Sequence, residues 1–163
     1  MGSIAEKVIR HVTCPVLAVG PHVGALSLDR FGHILYATDF SSGSKGALTY
    51  ALLLAEQDRA ELTMLHIIHG KPVYEAELAD WMLQGRESLR QLIPPDLDLA
   101  YKPEIEVEVG DPAEQILRLA ETRDVELIVM GSHAGTLPTH FPWTTLHHVL
   151  QKAHCPVLTV RAT

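Results

Sequence analysis

Cysteine is scarce in this chain. Only Cys14 and Cys155 occur among 163 residues. They make neither a CxxC pair nor a Cys/His zinc spacing, so no disulfide framework or zinc finger is expected. Both are read as reduced thiols, partly buried where a helix hands over to a strand. Positive charge is also short. Lys and Arg number 13 against 20 Asp and Glu, for a net charge of -7 with His neutral. That balance argues against nucleic acid and against an anionic membrane surface as partners, since both reward Lys and Arg. No apolar run approaches the ~20 residues of a membrane span. No basic stretch followed by an apolar core opens the chain, so no leader is expected and the protein is read as cytoplasmic. Hydrolase and P-loop signatures are missing too: there is no Ser-His-Asp order, G-x-S-x-G elbow or GxxxxGK[ST] loop. No catalytic residue is therefore assigned, and catalysis is a poor reading.

What is present begins with a repeat. Cys14-Pro15-Val16-Leu17 returns as Cys155-Pro156-Val157-Leu158, and Val8 and Ile9 fall on Val149 and Leu150 without a gap. A repeat this far apart is weighed before other readings, because missing it mis-assigns the fold. It predicts a helix-strand arm over residues 1–19, a remnant of a preceding like domain, built to lie beside a copy of itself. The arm reads as a helix over 3–12, with Ile4, Val8, Ile9 and Val12 on one side, then a strand from Val16 to Val19. Residues 20–32, rich in Gly, Pro and His, form a linker. The remaining roughly 130 residues, 33–163, are enough for one sizeable core.

Within them strands and helices alternate. Strands are expected at His33 to Thr38, Glu61 to Ile68, Glu104 to Val109, Val125 to Met130 and Val157 to Val160. Helices are expected at Ser42 to Gln57, Glu75 to Ile93, from Asp111-Pro112 onward, and at about Thr144 to Ala153. Leu78, Trp81, Met82, Leu89 and Leu92 mark the buried face of the second. Asp111 is the cap of the third, with Pro112 at its first position. Strand-helix alternation predicts an α/β fold, an open parallel five-stranded sheet with helices on both faces. Glu104, Glu106 and Glu108 alternate with Ile105, Val107 and Val109, which fits an edge strand guarded by charge. Val157 to Val160 has no such guard, so it is expected to pair with another strand. The arm strand Val16 to Val19, of the same chain or of a partner, is one candidate and would run antiparallel.

Five short segments carry a family resemblance: Ile34-Leu35-Tyr36-Ala37-Thr38-Asp39-Phe40-Ser41, Leu65-His66-Ile67-Ile68, Gly110-Asp111-Pro112-Ala113-Glu114, Ile128-Val129-Met130-Gly131-Ser132-His133, and Cys155-Pro156-Val157-Leu158. In this order and spacing, over residues 31–161, the chain resembles the universal stress protein family. Gly2-Ser3 and the helix after it look like the end of another such domain, so the chain resembles the second half of a tandem protein. The resemblance implies strand order 3-2-1-4-5 and homodimers joined through the last strand, Val157 to Val160, or the arm strand. It implies a stress-response regulatory module, with an ATP- or ADP-binding sensor, slow in hydrolysis, as the alternative.

Members that bind ATP use Gly-x-x-Gly, nine residues, then Gly-Ser or Gly-Thr, where glycines and a helix N-terminus admit phosphates. On that pattern the cofactor-binding candidates are Asp39, Ile67, Met130, Gly131, Gly135 and Thr144. The sequence departs from it in three ways. Ala134 stands at the second glycine, with Gly135 displaced by one. Trp143 stands where the next glycine belongs. Pro138 and Pro142 stiffen a loop one residue short. A degraded nucleotide pocket is therefore expected. Asp39 reads equally as a base or ribose contact and as a carboxylate turning the chain into a helix. Ser41 to Lys45 reads as a helix cap. His66, His69 and His133 lie near the crevice with Asp39, but the resemblance places His at 66 and 133 regardless of metal, so no metal is expected. His140, His147 and His148 are expected to be solvated.

Overall fold

The computed structural model describes residues 7–9, 11–24, 29–70, 74–132 and 143–161. The strands are β1 (Val16–Ala18), β2 (His33–Thr38), β3 (Glu61–Ile68), β4 (Glu104–Val109), β5 (Leu127–Ser132) and β6 (Val157–Arg161). The helices are α1 (Ser42–Asp58), α2 (Glu75–Gln91), α3 (Pro112–Thr122) and α4 (Trp143–Lys152). One sheet runs β1-β6-β5-β2-β3-β4. From β2 onward its order is the expected one and every pairing is parallel. The sheet is nonetheless six-stranded and mixed, because β1 adds antiparallel to β6 of the same chain. That corrects the five-stranded parallel sheet to six mixed strands, the sixth being the arm strand in the antiparallel place on β6 expected for it, within its own chain.

Alternation along the strands divides the core. Ile34 and Tyr36 of β2 point to one face, with Ala47, Leu48, Ala51 and Leu52 of α1 and Leu89 of α2. Leu35 and Ala37 point to the other, with Ile116 and Leu119 of α3 and Leu146, Val149 and Leu150 of α4. Period-two strands between two helical layers must be apolar on both sides, and β2 is buried along nearly its whole length. α1 fits against the sheet because its inner row is Ala47, Ala51 and Ala55, all fully buried or nearly so. Fully burying a Leu or Ile side chain contributes about 1.5–3 kcal/mol, so these two clusters are the main stabilising term.

The caps follow the sequence. The Asp111 side chain accepts the Glu114 N–H at 3.0 Å, and Pro112 opens α3. Ser41 caps α1 by accepting from the Ser44 N–H at 3.3 Å. Each such cap stabilises its helix by about 1 kcal/mol.

Several expectations differ from what is found. α2 buries Leu89 and Gly85 but leaves Trp81 39% exposed, because it covers only the β3–β4 margin of the sheet. β5 starts two residues later than expected, since the Val125 N–H turns back to the Ala120 carbonyl and completes the end of α3. Cys155 is buried but Cys14 is exposed, and both are free thiols. His148 is exposed as expected, whereas His147 is half-buried with its Nδ1 unpaired among the described residues. In the arm, residues 7–9 and 11 are helical; Ile9 is buried against α4's cluster while Val8 is exposed. Gly2, Ser3, Ile4, His133, Ala134, Gly135, Pro138, His140 and Pro142 lie outside the described residues. Among the described residues no helix is long and apolar enough to cross a membrane.

Candidate functional site

The crevice of an open α/β sheet lies beyond the carboxyl ends of its strands, where strand order reverses. Here that point lies between β2 and β5, with the end of β3 alongside. β2 delivers Asp39 there, only 7% exposed. A turn then reverses the chain into α1, and short polar side chains lock it. The Phe40 N–H donates to Thr38 Oγ1 at 2.9 Å, Thr38 Oγ1 donates to Ser44 Oγ at 2.9 Å, and Ser44 Oγ donates to the Ser41 carbonyl at 2.9 Å. Asp39 Oδ1 accepts from the Ser41 N–H at 3.0 Å and from Ser41 Oγ. The turn reading of Asp39 is thus realised, and the carboxylate is held in place at the crevice. Below it the Tyr36 hydroxyl donates to the Ser44 carbonyl at 2.8 Å, and burial pushes the phenol up to about 12. Phe40 pivots the turn with φ 61, a left-handed conformation that disfavours a side chain and that this network imposes.

β3 supplies His66 and Ile67. His66 Nδ1 lies 3.0 Å from the Thr38 carbonyl. A carbonyl only accepts, so Nδ1 carries the proton in this contact. The His66 ring also rests on Phe40, centroid to centroid 4.4 Å and tilted by 39°. An open cavity of ≈ 530 Å³ lies beside them, walled by Asp39, Phe40, His66 and Ile67 and by Trp81 and Gln84 of α2. Among the described residues no Lys or Arg lines it.

The six residues expected to hold a cofactor are only partly gathered. Asp39 and Ile67 line this cavity. Met130 shares the α3/α4-side core cluster with Ile67, so both side chains belong to one face of the sheet. Gly131 has a reason of its own. A Cβ there would fall 2.4 Å from the Ser44 nitrogen and 2.5 Å from the Gly43 carbonyl carbon. β5 therefore passes directly under the first turn of α1, and only glycine fits. Thr144 is exposed in the first turn of α4, beside buried Thr145. Gly135 lies outside the described residues. Sequence reasoning missed Phe40, Gln84, Gly85 and Ser88 as cavity residues. The signal was available: Trp81, Gln84, Gly85 and Ser88 sit at i, i+3, i+4 and i+7, one row of α2.

Among the described residues no group of three or more His, Cys, Asp or Glu could hold a metal ion.

The comparisons with known proteins place this geometry. The family model of the Universal stress protein family matches residues 30–161. Universal stress protein MJ0577 of Methanocaldococcus jannaschii is 27% identical over 151 residues, covering 78% of this chain and 93% of that protein. Its solved structure has a TM-score of 0.67 over 81% of this chain and 96% of its own. A functionally unknown protein of Pseudomonas aeruginosa shares the fold, with a TM-score of 0.71 at 21% identity, over 99% of this chain and 57% of that one. A universal stress protein solved in complex with cAMP shares the fold at 16% identity and a TM-score of 0.58, over 82% of this chain and 99% of its own. With the family match spanning every strand from β2 to β6, this chain belongs to the universal stress protein family.

Proposed function

We propose that this chain is a stress-response regulatory and binding module that acts by dimerisation at the β6–β1 margin of its sheet, with a nucleotide crevice that has kept its base end and lost its phosphate end. The observation that carries the reading is the start of α4 at Trp143. At a phosphate-binding helix N-terminus the entering residue must let backbone N–H groups close on the anion, and glycine does this where an indole-bearing residue obstructs it. Ala134 in place of a second glycine, and Pro138 and Pro142 in the same loop, act in the same direction. The packing reason for Gly131 means that this glycine alone is no evidence of phosphate. Because β1 takes the antiparallel place on β6 that a second copy's strand would take, copies would pair through the outer edge of β1, Val16–Ala18, or by exchanging the arm.

A second reading, an ATP- or ADP-binding sensor with slow hydrolysis, is favoured by one observation: Asp39 and Ile67 still line an open cavity. In it Asp39, Ile67 and Met130 hold the base and ribose, while Gly131, Gly135 and Thr144 approach the phosphates. The fold relative in complex with cAMP makes a nucleotide the natural ligand to try.

Calorimetric titration of nucleotide-stripped protein with ATP and with ADP separates the two, run beside a Trp143→Gly variant. The first reading expects no heat of binding from the unmodified chain and binding gained in the variant. Micromolar binding by the unmodified chain would overturn it in favour of the sensor.

A further inference from the structure

Away from the crevice, the arm meets the end of α4. β1 ends at Ala18, and Gly20 follows close against the helix. A Cβ on it would sit 2.9 Å from the Leu150 carbonyl oxygen and 3.7 Å from that of Ala153. The chain then turns, with the Val23 N–H donating to the Gly20 carbonyl at 3.3 Å across Pro21 and His22. Proline at the second position of such a turn fixes φ, so the backbone leading into His22 is preset. On the domain side, His154 stands between buried Ala153 and buried Cys155. It follows the last turn of α4, which the Ala153 N–H closes on the Val149 carbonyl at 2.8 Å. Both imidazoles are exposed, yet each is carried on backbone that is held. Their ring centroids lie 5.9 Å apart, with the planes tilted by 52°.

That spacing suits a shared metal ion. Neutral imidazole ligates transition metals through either ring nitrogen. With metal–nitrogen bonds of about 2.1 Å, two imidazoles on one ion hold their centroids about 5.2 Å apart at a tetrahedral angle and about 6.4 Å apart when opposed. The observed distance falls between these limits, and side chains this exposed can turn a nitrogen each onto the ion. The ion would stand at the C-terminal end of α4, whose last carbonyls carry partial negative charge. The charge opposing it in that turn is Lys152, which is exposed and so screened by solvent. The net charge of -7 favours a cation over the molecule as a whole.

We propose that His22 and His154 form a metal site for a divalent ion that prefers imidazole (Ni²⁺, Cu²⁺ or Zn²⁺), with water in its remaining positions, and that the bound ion staples the arm to its own domain. His22 follows β1 and His154 precedes β6, so an ion held by both favours the closed arm over the open one. The site belongs to arm closure in particular. At the offset of the repeat, Thr163 corresponds to His22 and Thr13 to His154. Two β6 strands paired with each other would therefore lack the second imidazole. The site depends neither on nucleotide binding nor on dimerisation.

The test uses the full chain with Ni²⁺ as the probe and Mg²⁺ as the control, at about pH 7.5, where a free imidazole is neutral. Calorimetry should show saturable binding of one Ni²⁺ per chain and none of Mg²⁺. His22→Ala and His154→Ala should each weaken it at least about tenfold, since one imidazole loses the advantage of two held together. His11→Ala, which removes an exposed imidazole elsewhere on the arm, should leave it unchanged. Hydrogen exchange of residues 14–19 reads the staple itself. Saturating Ni²⁺ should slow it about tenfold, the ratio by which the closed arm outbinds the open one, and should leave it unaltered in His22→Ala. Both histidines are exposed, so their truncation leaves the fold intact. The proposal is overturned by unsaturable binding, by equal affinity in either histidine variant, by unchanged exchange in the parent, or by a doubled mass in light scattering on adding Ni²⁺, which would place the ion between copies.

Discussion

The two margins of the sheet are protected by different means. At one margin β4 turns Glu104, Glu106 and Glu108 toward α3. Arg123 at the helix end pairs with Glu104 and, at 2.7 Å, with Glu106, while Arg118 pairs with Glu108 at 3.0 Å. At the other margin β6 carries Val157, Leu158, Thr159 and Val160, all buried, and nothing charged until Arg161. There the protection is a strand. β1 pairs Val16 with Thr159, Leu17 with Leu158 and Ala18 with Val157. Leu17 and Leu158 are equivalent positions of the repeat, as are Val16 and Val157, and Ala18 and Thr159. The pairing is therefore two-fold symmetric about Leu17 and Leu158, the arrangement of an isologous contact between two like strands. A charged edge repels other strands by its own composition, whereas an apolar edge is safe only while something covers it.

The largest effect is expected from uncovering β6. Deleting residues 1–22 removes β1 and the buried Ile9, and leaves four buried β6 residues at an open edge. Light scattering should then show a rise in mass, about a doubling if two β6 edges pair as β1 and β6 do now. Unchanged mass and solubility would mean that the arm is not what guards this margin. Gly20→Val is a milder version, since a Cβ there would sit 2.9 Å from the Leu150 carbonyl oxygen. It should loosen the arm at a cost of about 1–3 kcal/mol.

The two repeat-equivalent cysteines sharpen the contrast between arm and domain. Cys155 enters β6 buried, and loss of solvent pushes its thiol from 9.0 up to about 11, while Cys14 is exposed. Between these values the folded chain keeps a proton that the unfolded chain has released. Stability therefore falls as pH rises from about 9 to 11, by about 2–3 kcal/mol. Urea unfolding across this range should show that fall in the parent and a shallower one in Cys155→Ala. Tyr36, raised to about 12, adds its own loss only above pH 10 in both. Equal slopes would mean that Cys155 is not shielded. Ellman's reagent should label Cys14 first, since Cys14 is exposed and Cys155 is buried.

The smallest effect belongs to the charged margin. Arg123→Ala removes two ion pairs, but Arg123 is 38% exposed and Glu104 is 56% exposed. The loss should be less than about 1 kcal/mol and should shrink further in high salt. Urea midpoints at two salt concentrations would check this. A loss comparable to that from removing the arm would break the comparison, because the glutamates would then hold the sheet together rather than merely deter partners.

Much of the fold was legible. β2, β3 and β4 fall on their expected residues, because runs of β-branched and aliphatic side chains between turn residues mark strand ends well. Asp111 and Pro112 announced α3, and the alternating glutamates announced an edge. Trp81 misled because periodicity shows which residues share a row, not whether a sheet lies beneath the whole row. The site was half legible. Asp39 stood out at a strand end and Ile67 through the family resemblance, and both line the cavity. The role of Gly131 was not, because its partner, the Gly43–Ser44 turn, is remote in sequence and meets it only when α1 crosses β5.

By itself, then, the sequence determined the elements, their caps, the charged margin and the kinship of the arm strand with β6. Each depends on neighbours within a few residues, or on a direct repeat. Only the tertiary structure decided that the arm closes on its own chain, that Gly131 seats the α1 turn, and that Phe40, His66 and Trp81 wall one cavity. These are distances between segments far apart in the chain, set by how close a helix can come to a sheet once every buried side chain has found its room.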